Sequence, residues 1–207
     1  MGIDAVIFDF DGTLVDSGPA KYRAFFDVFP AGEAHGRVVA DVLRADPDGS
    51  RHDVIPRMAG LMRRAGLPLD DDRSDEARIT AYGAAVLEAV ASCPALPRAG
   101  ELLRRARQAG AVYISSNTPE PALRELVGRR GWLPLVDAVY GYPRRKGDTV
   151  RQIVADCGGR GDHVLLVGDG VSDEAAARDN GCVFVAVDVR SGLAPAFAAL
   201  ETVDVRE

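Results

Sequence analysis

Lysine is nearly missing from this chain. Of its 25 basic residues, two are lysines, Lys21 and Lys146, and the other 23 are arginines. Each lysine therefore marks a place where a compact ammonium, and not a planar guanidinium fork, is present. Cysteine is also scarce. Cys93, Cys157 and Cys182 are scattered and odd in number, which excludes a disulfide framework and fits a reducing cytoplasm. The three histidines, His35, His52 and His163, have no ligand spacing with one another or with the cysteines, so no zinc site is expected. No stretch is basic enough for a nucleic-acid footprint. No apolar run reaches membrane-spanning length. The opening MGIDAVIFDF has no basic leader region and is interrupted by acids, so it does not read as a signal peptide. The formal net charge is −6, so an anionic ligand would need positive charge placed locally.

What is present is an alternation. Residues 5–10 (AVIFDF) read as a buried strand, short and rich in β-branched and aromatic side chains. Comparable runs recur at 112–115, 138–140, 164–167 and 183–187. Helical patterns lie between them. Residues 97–109 carry Leu102, Leu103 and Ala106 on one side and stop at Gly110. Residues 118–130 begin with Thr118 as N-cap and Pro119 in the first turn. Residues 148–157 and 172–180 supply two more. Strand, helix, strand, helix predicts a parallel sheet with helices on both faces, its ligand site beyond the carboxyl ends of the strands.

Residues 18–96 break this alternation. Tyr22, Phe25, Phe26 and Phe29 fall at helical spacing, and so do Val38, Val39, Val42 and Leu43. Val54, Ile55, Met58, Leu61 and Met62 form a third stripe; Ile79, Tyr82, Val86 and Val90 form a fourth. A strandless stretch of this length is too long for a loop. It is expected to be an inserted helical cap over the sheet's carboxyl edge, with the stripes as its own core. The α/β core domain then comprises residues 1–17 and 97–207.

Polar residues gather at the predicted strand ends. Asp9 and Asp11 follow the first strand, and Ser115, Ser116 and Asn117 the second. Arg144, Arg145 and Lys146 come after the third, and Asp169 and Asp173 after the fourth. Each group alone reads as a turn or a helix cap. Together they place acids, hydroxyls and one rare lysine on one edge of one sheet. In extended chain, residues i and i+2 point the same way, so Asp9 and Asp11 can share a pocket. Several carboxylates in one place call for a hard divalent cation with oxygen ligands, and Mg²⁺ fits. With that cation and Lys146 beside it, Asp9 is expected to stay ionised, with its pKa at or below about 3.9. Ser116 and the backbone N–H groups nearby suit a phosphate oxygen. An acidic nucleophile, a metal, an anion hole and a lysine suit phosphoryl transfer.

DFDGTLVDS at 9–17, Ser116, Lys146 and GDGVSD at 168–173, in this order, resemble the four motifs of the haloacid dehalogenase (HAD) superfamily. The branch is the phosphoglycolate-phosphatase-like one, with a helical cap after the first strand of a Rossmann-like, doubly wound α/β core. The resemblance implies a Mg²⁺-dependent phosphatase acting on a small phosphorylated molecule such as phosphoglycolate or a sugar phosphate. It implies Asp9 as nucleophile, forming an aspartyl phosphate, and Asp11 as general acid and then base. Mg²⁺ would be held by the Asp9 carboxylate, the Asp11 carbonyl and Asp169, with Asp173 direct or through water. Ser116 and Asn117 would hold the phosphate, and Lys146 would bridge it to Asp9. Gly12 would let the backbone turn beside the metal. The sequence departs from many relatives at Gly170, where they carry Ser or Thr, and at Gly147, where they carry Pro. Aspartate at both 9 and 11 argues against a true dehalogenase, which by family resemblance lacks the second acid.

Two alternatives stay open at this point: a sugar phosphomutase on the same residues, and a phospho-aspartate receiver module. A receiver would not carry such a cap. Substrate choice is expected to lie in the cap, with Arg51 at a loop tip in DPDGSRHD (46–53) as the contact to the leaving group and Lys21 as a second candidate. No nucleic-acid or membrane partner is expected; a monomer or small homo-oligomer in the cytoplasm is.

Overall fold

The computed structural model describes residues 2–47, 49–69 and 73–202. It divides into two compact units. One holds the chain up to Ser17 and again from Cys93; the other is Gly18–Ser92.

The first unit is built on five parallel strands: β1 (Ala5–Phe8), β2 (Ala111–Pro119), β3 (Ala138–Tyr142), β4 (Val164–Gly168) and β5 (Val183–Ala186). Their order is β3-β2-β1-β4-β5. Ile7 of β1 stands opposite Tyr113 of β2 and Leu166 of β4. The chain thus moves outward from β1 to β3, returns to β4 and moves outward again to β5. The crevice of such a reversal opens at the carboxyl end of β1, beside β4.

Side chains explain this order. All four residues of β1 and all five of β4 are buried, as central parallel strands require. On one face, Ala5, Ile7, Val164 and Leu166 pack against Val150 and Ile153 of α7 (Lys146–Asp156) and Ala176 and Ala177 of α8 (Val171–Asp179). α5 (Ala99–Ala109) packs on β2, and α6 (Glu120–Arg129) on β2 and β3; the right-handed rule for parallel crossovers assigns both to the other face. Leu102, Leu103 and Ala106, the predicted stripe of α5, are buried. A last helix, α9 (Ala194–Glu201), packs on α5 and β5 and has no counterpart in the sequence reading. Its eight residues are alanine-rich, with a weak periodic signal.

Two boundaries differ usefully from expectation. β1 stops at Phe8, so Asp9 and Phe10 lie just past the strand. β2 runs on to Pro119, and α6 starts at Glu120. Thr118 is therefore the end of a strand and not the cap of a helix. Past Ser115 the pairing of β2 with β3 shifts register and resumes only at Pro119.

The second unit consists of α1 (Gly18–Asp27), α2 (Glu33–Ala45), α3 (Arg51–Arg64) and α4 (Asp75–Ser92). Phe25 of α1 stacks on Tyr82 of α4 with centroids 4.2 Å apart. Val54, Ile55, Met58 and Met62 of the predicted α3 stripe are buried, with Ala59 beside them, while Leu61 is only half-buried. Tyr22 departs from its predicted stripe: it is 48% exposed and leans on Phe26. Arg78 is wholly buried, donates to the carbonyl of Arg73 and lies over the Phe29 ring at 5.6 Å. No described helix is long and apolar enough to cross a membrane.

Candidate active site

Asp9, one residue past β1, is 5% exposed. Its amide donates to Val167 O of β4 at 2.9 Å, which fixes the backbone at the crevice. Lys146, the first residue of α7, reaches back with its ammonium to Asp9 Oδ1 at 2.7 Å and Asp173 Oδ1 at 2.5 Å. Asp173 sits in the first turn of α8, where its Oδ2 accepts from Gly170 N at 3.1 Å. An acid in that turn is favoured by the exposed N–H groups and the dipole of the helix. One of the chain's two lysines thus ties together two aspartates 164 positions apart in sequence.

Asp169 comes from the end of β4. It is exposed as a residue, yet its carboxylate accepts from the wholly buried Thr13 hydroxyl at 3.1 Å. Oxygens of Asp9, Asp169 and Asp173 lie within 4.8 Å of one another. Gly12 makes this possible. Its φ is +85°, and a β-carbon there would fall 2.0 Å from Asp169 Oδ2. Gly168 does the same for Asp173, whose Cγ would lie 2.4 Å from an added methyl.

The electrostatics follow from crowding. Burial first, then the charges of Asp173 and Asp11, push the Asp9 pKa up to about 6 against the pull of Lys146. Burial and the Asp9 charge likewise raise Asp169 to about 6. Asp173 is raised by burial and lowered by Lys146, with a net upward shift. Burial alone would lower Lys146, but its two carboxylate partners more than reverse that and keep it charged. One ammonium does not neutralise three carboxylates. The cation-free site is therefore strained toward taking up protons, and the low Asp9 pKa expected with a bound cation is not that of the cation-free protein. The donor set is oxygen only, negatively charged and convergent, which fits a hard divalent cation.

Asp11 turns elsewhere. Its Oδ1 accepts from the Ser17 hydroxyl at 2.8 Å. Its Oδ2 accepts from Ser116 at 3.0 Å and Thr118 at 2.7 Å. The Asp11 carboxylate is thus not part of the convergent acid triad, and of the four acids named as metal residues it alone is set apart. The Ser116 hydroxyl donates to Asp11 and accepts from Thr118 N at 3.1 Å. Arg130, past the end of α6, lies over Phe10 and Trp132 and donates to the carbonyls of Leu126 and Cys93. Burial lowers its pKa, and the Asp11 charge works the other way.

The structure therefore brings together Asp9, Gly12, Lys146, Asp169 and Asp173, with Asp11 and Ser116 as an adjoining pair. Asn117 is exposed at the end of β2. Arg51 is the first residue of α3, with Ser50 as N-cap, and so belongs to a helix start and not a loop tip. Its Nε lies 3.4 Å from His52 Nε2. Sequence reasoning missed Thr13, Ser17 and Thr118. The alternation of side chains along an extended SSNT stretch was the available signal for Thr118, since it puts residues 116 and 118 on one side.

A family model described as haloacid dehalogenase-like hydrolase matches residues 3–181. Among solved structures, a haloacid dehalogenase-like family protein from Streptococcus pneumoniae superposes with a TM-score of 0.67 at 19% identity, covering 98% of this chain and 92% of that one. A predicted phosphoglycolate phosphatase from Haemophilus somnus gives 0.68 at 22%, covering 89% and 84%. CbbY from Rhodobacter sphaeroides, solved in complex with phosphate, gives 0.64 at 17%, covering 90% and 88%. At these identities the likeness is one of fold. No curated protein matches.

Proposed function

The chain belongs to the haloacid dehalogenase-like hydrolase family, and we propose that within it this protein is a Mg²⁺-dependent phosphatase of a small phosphomonoester. The observation that supports this most is the Lys146 ammonium shared by Asp9 and Asp173 at the mouth of β1 and β4. It leaves a buried carboxylate oriented, paired and next to a convergent oxygen cluster. Asp9, Asp169 and Asp173, with the backbone carbonyl of Asp11, would hold the cation, which when bound offsets negative charge on the acids and the phosphate.

The chain's own groups then act in two steps. A carboxylate oxygen of Asp9 attacks phosphorus, and the bond from phosphorus to the leaving oxygen breaks. Asp11 gives its proton to that oxygen, releasing the alcohol and leaving an aspartyl phosphate. Asp11, now a carboxylate, takes a proton from water as the water oxygen attacks phosphorus. The bond to Asp9 breaks, and inorganic phosphate leaves. Ser116 and Asn117 orient the phosphate, and Lys146 holds Asp9 and meets charge on the transferring group. The substrate class is a phosphoglycolate-like or sugar-phosphate-like monoester, with Gly18–Ser92 as the cap that selects it.

The test is release of inorganic phosphate from an aryl phosphate, with and without Mg²⁺, by the wild type and by Asp9→Asn. Turnover that needs Mg²⁺ and disappears in Asp9→Asn is expected. Equal turnover with a chelator, or in the variant, would refute the reading. A sugar phosphomutase on the same residues would exchange phosphate between hydroxyls and leave none free.

A further inference from the structure

The three hydroxyls on Asp11 are not equivalent. The Ser116 hydroxyl has one proton, and Asp11 Oδ2 receives it at 3.0 Å. When Ser116 turns that proton to a phosphate oxygen, as proposed above, its bond to Asp11 is given up. Thr118 is placed differently. Its hydroxyl donates to the same Oδ2 at 2.7 Å, the shorter of the two bonds. Its amide meanwhile donates to Ser116 Oγ at 3.1 Å. One residue thus touches both the group that binds phosphate and the group that moves the proton.

The backbone explains the aim. Between Ser115 and Pro119 the pairing of β2 with β3 is interrupted. Such irregularities re-aim side chains next to functional sites. Here Ser116 and Thr118, two positions apart, both face Asp11.

Resting on the proposed phosphatase reading, we infer that Thr118 is the positioning residue for Oδ2 of Asp11, while Ser17 holds Oδ1. The Thr118 hydroxyl holds the Asp11 carboxyl toward the leaving oxygen once Ser116 has turned to the phosphate. The reaction step it serves is passage of the Asp11 proton to the leaving oxygen as the phosphorus–oxygen bond breaks. Loss of the Thr118 hydroxyl then matters most where the leaving group needs that proton, and least where it leaves well as an anion.

The test compares an alkyl phosphate with dinitrophenyl phosphate on the wild type, Thr118→Val, Thr118→Ser, Asp11→Asn and the double variant Thr118→Val/Asp11→Asn. For Thr118→Val, the single-turnover rate of alcohol release from the alkyl ester is expected to fall about tenfold or more, with KM changed less than about twofold. The single-turnover rate of dinitrophenolate release is expected to fall far less, because hydrolysis of the aspartyl phosphate comes after it and is common to both esters. Thr118→Ser restores alcohol release from the alkyl ester, and Thr118→Val adds nothing to Asp11→Asn. The melting temperature of Thr118→Val, with its isosteric side chain, reports that the fold is intact. An equal loss on both esters, a rise in KM alone, or an unchanged rate of alcohol release in Thr118→Val would overturn the inference while leaving the phosphatase reading standing. Absence of turnover by the wild type on both esters would overturn that reading and this inference with it.

Discussion

Lys146 Nζ and Asp173 Oδ1 meet at 2.5 Å with both side chains almost wholly buried, while the same ammonium lies 2.7 Å from Asp9. A buried charge pair contributes little net stability over an apolar substitute, but removing one partner leaves the others uncompensated. Here one cation has two anionic partners, so its loss exposes both.

Lys146→Met is therefore expected to destabilise the cation-free protein at neutral pH by about 3 kcal/mol. It should also lose turnover. Mg²⁺ should raise its melting temperature more than it raises that of the wild type, because the variant's site carries one more uncompensated negative charge. Thermal melts with and without Mg²⁺ measure this; an equal Mg²⁺ shift in both proteins would show that Lys146 and the cation do not share these acids.

Asp9 gives a pH dependence with a definite sign. Its carboxyl titrates near 3.8 in an unfolded chain and near 6 in the cation-free fold. Between these values the folded state binds more protons than the unfolded one, so stability falls as pH rises. The penalty is absent below about pH 3.8 and complete above about pH 6. Asp9→Asn, which cannot ionise, is expected to be more stable than the cation-free wild type above pH 6, with the advantage shrinking toward pH 4. Denaturation midpoints of both proteins in chelator across this range decide it. Added Mg²⁺ should narrow the gap from the wild-type side.

Gly12→Ala should uncouple fold from site. The added methyl would fall 2.0 Å from Asp169 Oδ2, at a φ of +85° that alanine tolerates poorly. Asp169 must move, so calorimetric Mg²⁺ affinity is expected to drop by about tenfold or more, with a stability cost of about 1–2 kcal/mol. Wild-type Mg²⁺ affinity in this variant would remove Asp169 from the cation site.

Arg51→Ala addresses the helical unit. With Arg51 as the contact to the leaving group, KM for the physiological monoester is expected to rise about tenfold while that for an aryl phosphate stays unchanged. The same KM change on both esters would count against that role. Ser50 remains as cap of α3, so stability should change by less than about 0.5 kcal/mol.

Some of this was legible before the structure. β1 and β4 announce themselves because buried parallel strands are continuous apolar runs, and each ends where acids begin. Lys146 was readable from its rarity and its place just before a helical pattern. The four stripes of residues 18–96 became α1 to α4 because amphipathic spacing is a local property. The hydroxyls of Thr13 and Ser17 were not legible, and that of Thr118 only as sharing a side with Ser116. Thr13, Ser17 and Thr118 each have a bland local explanation as turn, linker or cap. α9 escaped because a short alanine-rich segment has little periodicity to read.

Sequence alone determined which groups exist and where each stands along the chain: the acids after two strands, the glycine next to Asp11, and one of two lysines at the start of α7. Tertiary structure decided which of these meet. Thr118 reaches Asp11 across 107 positions and Thr13 reaches Asp169 across 156. The physical reason is that strand and helix preferences are set within a few residues, whereas a hydrogen bond at 2.7 Å between distant segments depends on the summed register of the sheet. Strand alternation puts Ser116 and Thr118 on one side, but that this side meets Asp11 depends on the pairing of distant segments, which no local pattern specifies.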